Sequence, residues 1–277
     1  MRVTSIGLYS SNDVLVAQLS FRDPKALNPY VVREIVGLDA DEIVPRFYGQ
    51  SVNNDGMFFD FSIPSREIVI SILLNPNYGE DDKSYSDLRD DIYKAVSASR
   101  TGLITLKFYN GEEEKARLSA FVTKLEYAHF TDLPEIQLTL RCEDPMLKGP
   151  TQILLHGRSN MDNSIFEIKD STAPHGFEFQ ATFTATSANF SIRAPDLDWE
   201  FLVKPSSNFL IGDVLTFSSE SGHKQLKMTR GATDTFLVDR IDKASIWPIL
   251  FPGTNKFMHT SVIQWNYIRY YPTYWGI

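Results

Sequence analysis

The spacing of apolar positions changes period once along this chain, between residues 84 and 145. Ser84 stands in N-cap position with Asp87 three residues on, a capping box built on the shorter acid. Leu88, Ile92, Ala95 and Val96 then fall on one face of a 3.6-residue period, with Arg89, Asp90, Asp91 and Lys94 on the other. The spacing predicts a helix over 84–100, with Gly102 available to end it in the left-handed conformation. From Leu103 to Tyr109 the period drops to two: Ile104, Leu106 and Phe108 alternate with Thr105 and Lys107. Asn110-Gly111 predicts a tight turn. Leu118–Tyr127 is a β-rich return run. A third run follows, with Ile136, Leu138, Leu140 and Cys142 facing inward, closed by Asp144-Pro145. The expectation is one helix packed on a mostly antiparallel sheet, with Leu88, Ile92 and Val96 as its core contacts.

The remaining pattern is strand-like almost throughout. Before the helix, the predicted strands are Val14–Phe21, Tyr30–Val36, Glu42–Tyr48, Met57–Ile63 and Arg66–Leu74. Gly37-Leu38-Asp39 ends the second, Pro45 marks the third as an edge or bulged strand, and the density of Ile and Leu in the last predicts burial on both faces. Ser51–Gly56 reads as a polar loop. Gly149-Pro150 opens a stretch rich in Gly, Asn and Pro, so the division is drawn at 148: one domain over 1–148, a second over 149–277. The second shows short runs at turn-like intervals: Phe177–Ala185, Asn189–Arg193, Trp199–Val203, Val214–Phe217, Gln225–Thr229, Phe236–Asp239 and Thr260–Tyr270. Seven short strands without a helical period predict a β-sandwich or jelly roll.

Composition sharpens this. The 277 residues hold 43% hydrophobic side chains, enough for a core in each domain, and 19 Phe with 12 Tyr favour strands. A formal charge of -8 argues against nucleic-acid binding, which needs clustered Lys and Arg. The single Cys142 excludes an intrachain disulfide and a cysteine zinc site, and its place on an apolar strand face predicts a buried thiol. No apolar run reaches the ~20 residues of a membrane span, and Met1–Ile6 has no signal-peptide pattern, so synthesis in a reducing cytoplasm without membrane insertion is expected.

Candidate chemistry is sparse. Glu112, Glu113 and Glu114 follow a hairpin turn, where no apolar pocket would raise a carboxyl pKa, so they read as a solvated charge run rather than a catalytic pair. Glu80, Asp81 and Asp82 lack the alternate spacing of a calcium loop. His129, His156, His175, His223 and His259 show no metal-ligand spacing, Ser219, Ser221 and His223 form no nucleophile elbow, and Gly7 and Gly37 belong to no phosphate-binding run. No catalytic, metal-binding or cofactor-binding residue is assigned, and no enzyme is expected. One cluster stands out: Trp247, Trp265, Tyr267, Tyr270, Tyr271, Tyr274 and Trp275 crowd the C-terminal region. Trp265, Tyr267, Tyr274 and Trp275 are the candidate interface or glycan-facing aromatics, since aromatic faces serve both purposes. In Gln264–Tyr270, one of two alternating faces is expected to meet the sandwich core, and Tyr274 and Trp275 are expected to dock on protein surface.

The order of motifs in the C-terminal half brings in a family resemblance. Gly212-Asp213-Val214-Leu215 precedes Ser221-Gly222, then Trp247-Pro248-Ile249-Leu250, Pro252-Gly253-Thr254-Asn255 and a closing Tyr270-Tyr271-Pro272-Thr273-Tyr274-Trp275. Upstream, Arg66–Leu74, an amphipathic helix, a hairpin and Arg141-Cys142-Glu143-Asp144-Pro145 follow in order. This arrangement resembles the distal tail proteins of long-tailed bacteriophages. The resemblance implies a mainly β fold: an N-terminal β-rich ring domain with one packed helix, plus a C-terminal galectin-like β-sandwich. It implies a structural protein of the virion tail tip or baseplate, made in the host cytoplasm. Its partners would be copies of itself in a homohexameric ring, the tail tube protein, a hub or fibre protein and receptor-binding proteins. An acidic subunit suits a ring through which DNA passes without binding. The competing expectation is a carbohydrate-binding module that attaches to host surface glycans through the C-terminal aromatics.

Overall fold

The computed structural model describes residues 3–21, 28–39, 44–48, 57–62, 64–76, 83–99, 103–127, 134–142, 144–155, 163–194, 199–259 and 263–276. The chain divides into two compact units, Met1–Pro150 with Trp275–Ile277, and Thr151–Tyr274. Its fold is mainly β.

The first unit contains strands β1 (Ser5–Tyr9), β2 (Leu15–Phe21), β3 (Tyr30–Val36), β4 (Val44–Tyr48), β5 (Met57–Ser62) and β6 (Arg66–Leu74). Helix α1 (Tyr85–Ser99) follows, then β7 (Ile104–Asn110), β8 (Glu113–Tyr127), β9 (Glu135–Cys142) and β10 (Leu147–Lys148). Seven strands, in the order β8-β7-β1-β2-β3-β6-β9, close into a barrel because β9 pairs back onto β8. The length of β8 permits this closure: residues 113–120 pair with β7, and residues 121–127 pair with β9. One seam is parallel, where Ser20 and Phe21 of β2 lie beside Val31 and Val32 of β3. The mostly antiparallel sheet expected from the sequence is a closed barrel with one parallel contact. Closure removes the free edges that an open sheet must protect.

Alternation builds the interior. Ile6 and Leu8, Ile68, Ile70 and Ile72, and Leu138 and Leu140 are among the buried side chains. On β6 the second face is only half covered, and Glu67 is exposed, so the expected burial on both faces holds on one. Strand β1 was not visible in the sequence pattern because Gly7 interrupts it. Glycine is required there, since a Cβ would lie 2.5 Å from the Tyr9 ring. Gly37 is required for a second reason: its φ is +89°, and a Cβ would approach the Glu67 carbonyl oxygen to 2.0 Å.

Helix α1 begins as its cap dictates. The Asp87 amide donates to Ser84 Oγ at 3.2 Å, and the Ser84 amide donates to Asp87 Oδ2 at 3.0 Å. Hydrogen bonds from the Ser84 side chain and amide hold the Asp87 carboxyl below the usual range. Leu88, Ile92 and Val96 are 0, 1 and 4% exposed, and buried Tyr30 donates its hydroxyl to the Leu88 carbonyl at 3.3 Å. Gly102, the expected stop, lies outside the described residues. Leu88→Ala or Ile92→Ala is expected to destabilise the protein by about 2–5 kcal/mol, because a buried aliphatic chain is lost and a cavity remains. Urea unfolding at neutral pH checks this; a loss under about 1 kcal/mol at both sites would contradict the helix's role as part of the core.

The second unit holds β11 (Ile153–Leu155), β12 (Asn163–Ile168), β13 (Glu178–Phe183), β14 (Phe190–Ala194), β15 (Trp199–Val203), β16 (Val214–Ser218), β17 (Gln225–Arg230), β18 (Thr233–Phe236), β19 (Gly253–His259), β20 (Ile263–Tyr270) and β21 (Thr273–Tyr274). Six strands form one sheet, β11-β20-β13-β16-β17-β18, and four form the other, β12-β19-β14-β15. Phenylalanines from both sheets meet between them: Phe177 stacks on Phe257 at 5.6 Å, and Phe201 meets Phe217 edge-on at 5.1 Å. This is a β-sandwich with an aromatic core.

One predicted strand requires correction: the run expected at Phe236–Asp239 is instead the end of β18 followed by a 3-10 turn at Val238–Arg240. Of the run expected over Thr260–Tyr270, Ile263–Tyr270 is β20 and residues 260–262 lie outside the described residues. Strands β12 and β19 have no counterpart in the sequence reading. Edge strand β15 is covered by the chain that follows the 3-10 turn: the Asp242 amide donates to the Leu202 carbonyl, and the Ile246 amide to that of Glu200.

Candidate functional site

The acidic runs do not assemble into a site. Glu112 and Glu113 are exposed at the hairpin turn that leads into β8, Glu113 pairing with Lys115, while the half-buried Glu114 pairs with Arg117. Glu80, Asp81, Asp82, His129 and His156 lie outside the described residues. Among the described residues no group of three His, Cys, Asp or Glu side chains is placed to hold a metal ion, and no helix is long and apolar enough to cross a membrane. Ser219 serves the backbone: its Oγ accepts from the Phe177 amide at 3.1 Å. Cys142 is buried, as expected from its place on an apolar strand face.

The four C-terminal aromatics occupy different environments. Trp265 is 3% exposed and sits edge-on to Phe179 at 5.0 Å and to His259 at 5.7 Å. Tyr267 is half-buried, donates its hydroxyl to Glu178 Oε1 at 2.8 Å and lies beneath the Arg269 guanidinium, 5.1 Å from its ring centre. Arg269 in turn grips Glu178 through Nη2, at 2.6 and 2.7 Å from its two carboxylate oxygens. Burial, reinforced by the neighbouring Glu178 carboxylate, pushes the Tyr267 hydroxyl pKa up. Tyr274 is half-buried, and burial raises its pKa as well. The half-buried Trp275 gives its carbonyl to Arg66 Nη2 at 2.6 Å; Arg66 is itself almost fully buried and also donates to the Leu38 carbonyl. A sugar platform needs an open ring face. The Trp265 ring is enclosed, and a guanidinium lies over that of Tyr267.

Tyr267 and Trp265 reach different environments because β20 does not alternate strictly. Gln180 of β13 lies opposite Tyr267, but the next residue, Ala181, lies opposite Trp265, so Asn266 is an extra residue in β20. This bulge reverses the phase: Trp265 faces the core before it, and Ile268 and Tyr270 face the core after it. The single inward face expected from the sequence is thus two half-faces joined at a bulge. Asn266 anchors the bulge, donating through Nδ2 to Gln180 Oε1 and Thr182 Oγ1, each at 3.0 Å.

The glycine-containing motifs are turn architecture. Gly212 has φ +86°, and Asp213 beside it is buried, receiving Arg230 Nε and Nη2 at 2.9 and 2.6 Å and the Leu210 amide at 2.8 Å. The Arg230 guanidinium holds the Asp213 carboxyl below the usual range. Gly253 has φ +90°, and Asn255 closes that turn by accepting from the Phe251 amide at 2.8 Å and donating to its carbonyl at 2.7 Å. Leu250 exchanges backbone hydrogen bonds with His175, which stacks on Tyr270 at 4.8 Å.

His175 introduces a pH dependence. Burial pushes its pKa down to about 4, while its Nε2 has no hydrogen-bond partner among the described residues. The folded protein therefore keeps the ring neutral where the unfolded chain, titrating near its ordinary value of about 6.5, takes up a proton. Stability is full above that value and falls as pH drops toward 4. Between pH 7.5 and 5 the loss from this residue is about 2 kcal/mol. In urea unfolding at both pH values, His175→Phe is expected to lose that much less than wild type on acidification; equal losses would refute the assignment.

A barrel carrying one helix, joined in sequence to an aromatic-cored β-sandwich, defines a two-unit, mainly β fold. The fold is that of the Dit protein (gp 19.1) of phage SPP1, to which the chain is similar with a TM-score of 0.62 and 13% identity over 97% of this chain and 98% of that one. That protein is described as a paradigm of the hub adsorption apparatus of phages infecting Gram-positive bacteria. A weaker likeness, TM-score 0.42 at 10% identity over 94% of this chain and 99% of that one, is to a protein of the phage p2 baseplate in its activated conformation. No protein-family model and no curated protein matches the sequence.

Proposed function

We propose that this chain is a structural component of a bacteriophage tail tip or baseplate, not an enzyme. In this reading six copies form a ring that joins the tail tube to a hub or fibre, and the sandwich unit anchors receptor-binding proteins. The supporting observation is the match of fold over nearly the full length of both chains with the SPP1 Dit protein, barrel and sandwich together. Three further features agree. The net charge of -8 suits a passage for DNA that must not be bound. The turn motifs are spent on architecture. The aromatic cluster is largely taken up by packing. Partners would be the tail tube protein and a hub or fibre protein, and the location would be the virion.

Negative-stain electron microscopy of the full chain tests this reading. Six-fold rings are the expected result. Particles without rotational symmetry, of single-chain size at micromolar concentration, would overturn it.

A further inference from the structure

Asn110-Gly111 is the one Asn-Gly pair in the sequence, and it sits where β7 turns into β8. An asparagine followed by glycine is especially open to self-modification. The backbone nitrogen of the second residue can attack the side-chain amide carbon of the first, and glycine has no side chain to obstruct the approach. Asn110, Gly111 and Glu112 are all exposed, and a Cβ on Gly111 would meet nothing within 4 Å. Water therefore reaches the turn, and a departing molecule of ammonia meets no wall. In the reaction Gly111 N gives up its proton and bonds Asn110 Cγ. The Cγ–Nδ2 bond breaks, and ammonia leaves with the proton. Water then opens the resulting five-membered succinimide. Cleavage at Cγ gives aspartate, and cleavage at the backbone carbonyl gives isoaspartate.

The fold opposes the first of these steps. Thr4, just before β1, donates its hydroxyl to the Tyr109 carbonyl at 3.2 Å, and the same oxygen accepts the Gly111 amide at 2.8 Å. The Thr4 amide also donates to the Tyr109 carbonyl, at 2.7 Å. One residue thus spans Asn110 from the residue before it to the residue after. To react, Gly111 N must lose the proton that points at Thr4 Oγ1 and must swing toward Cγ. The hydrogen bond stabilises the protonated nitrogen and fixes its direction, so it works against both. Strand pairing helps hold the backbone, with Tyr109 opposite Glu114 and Asn110 opposite Glu113.

Conversion would change the hairpin. Either product places a carboxylate opposite Glu113 and close in sequence to Glu112 and Glu114, and like charges directly across a strand pair are destabilising. Isoaspartate also adds one carbon to the backbone at the last residue of β7, which disturbs the register with β8.

We propose that Asn110 is a self-deamidation site and that the Thr4 hydroxyl restrains it. The proposal does not depend on the ring reading. The test incubates the full chain in mildly alkaline buffer over days and reads its tryptic peptides by mass spectrometry. In wild type the peptide carrying Asn110 is expected to gain the mass of amide-to-acid conversion slowly. Thr4→Val keeps the β-branched shape and removes the hydroxyl. It is expected to convert about 2–10-fold faster, the factor that one net hydrogen bond is worth. Thr4→Ser restores the hydroxyl and is expected to return to the wild-type rate. Ile6→Val trims a buried side chain of β1 and leaves Thr4 in place, which separates the hydroxyl from general loosening of the strand. Its expected rate is that of wild type. Equal rates in Thr4→Val and wild type overturn the inference. So does an Ile6→Val variant that converts as fast as Thr4→Val. Conversion that falls first on another asparagine removes Asn110 as the site.

Discussion

Asp213→Ala is expected to lower the unfolding free energy by about 3 kcal/mol, near the lower end of the range for breaking a buried ion pair. The side chain is 2% exposed and accepts three hydrogen bonds, two from Arg230 and one from the Leu210 amide. Alanine leaves that amide unpaired in the interior and deprives the guanidinium of its counter-ion. Arg230 is 37% exposed and can turn toward water, which keeps the loss from being larger. The pH dependence has a definite sign. The Asp213 pKa is depressed in the folded state, so its contribution is present above the unfolded value of about 3.9 and is lost as pH falls through the lower folded value. Urea unfolding should show the full difference between wild type and variant at pH 7 and a smaller one near pH 3. A variant within about 1 kcal/mol of wild type at pH 7 would mean that the turn is held by other contacts.

Trp265→Ala is expected to cost about 3–5 kcal/mol, the range for removing a large buried aromatic. Its ring fills space between Phe179 and His259. Trp265→Phe should cost much less. It keeps most of the volume and removes an indole N–H that has no partner among the described residues. The pair of variants separates packing from glycan recognition. A sugar-stacking tryptophan would lose binding on a glycan array while keeping its melting temperature, whereas Trp265→Ala should lose melting temperature first. A variant that melts like wild type would remove Trp265 from the core.

These two residues mark the limit of what the sequence shows. Gly212-Asp213 is legible as a turn, because glycine tolerates positive φ and aspartate accepts local backbone hydrogen bonds. That Asp213 is buried against Arg230 is not legible, since the arginine arrives from β17, seventeen residues on, only when the sheet forms. Trp265 is legible as one member of an alternating strand. Its direction is not, because the bulge at Asn266 reverses the phase partway along β20 and is fixed by pairing with β13, more than eighty residues earlier.

The sequence by itself determined the local structure. The capping box at Ser84, the 3.6-residue period of α1, the period-two runs and the turn at Asn110-Gly111 all follow from backbone geometry within a few residues. Tertiary structure decided the rest. It closed the barrel by bringing β9 back to β8, hid β1 behind a glycine that two tyrosine rings require, and covered Trp265 and Tyr267. The physical reason is the range of the interactions. Dihedral preference and side-chain period act along the chain, whereas strand partnership and burial are settled between residues that meet only after the chain has folded.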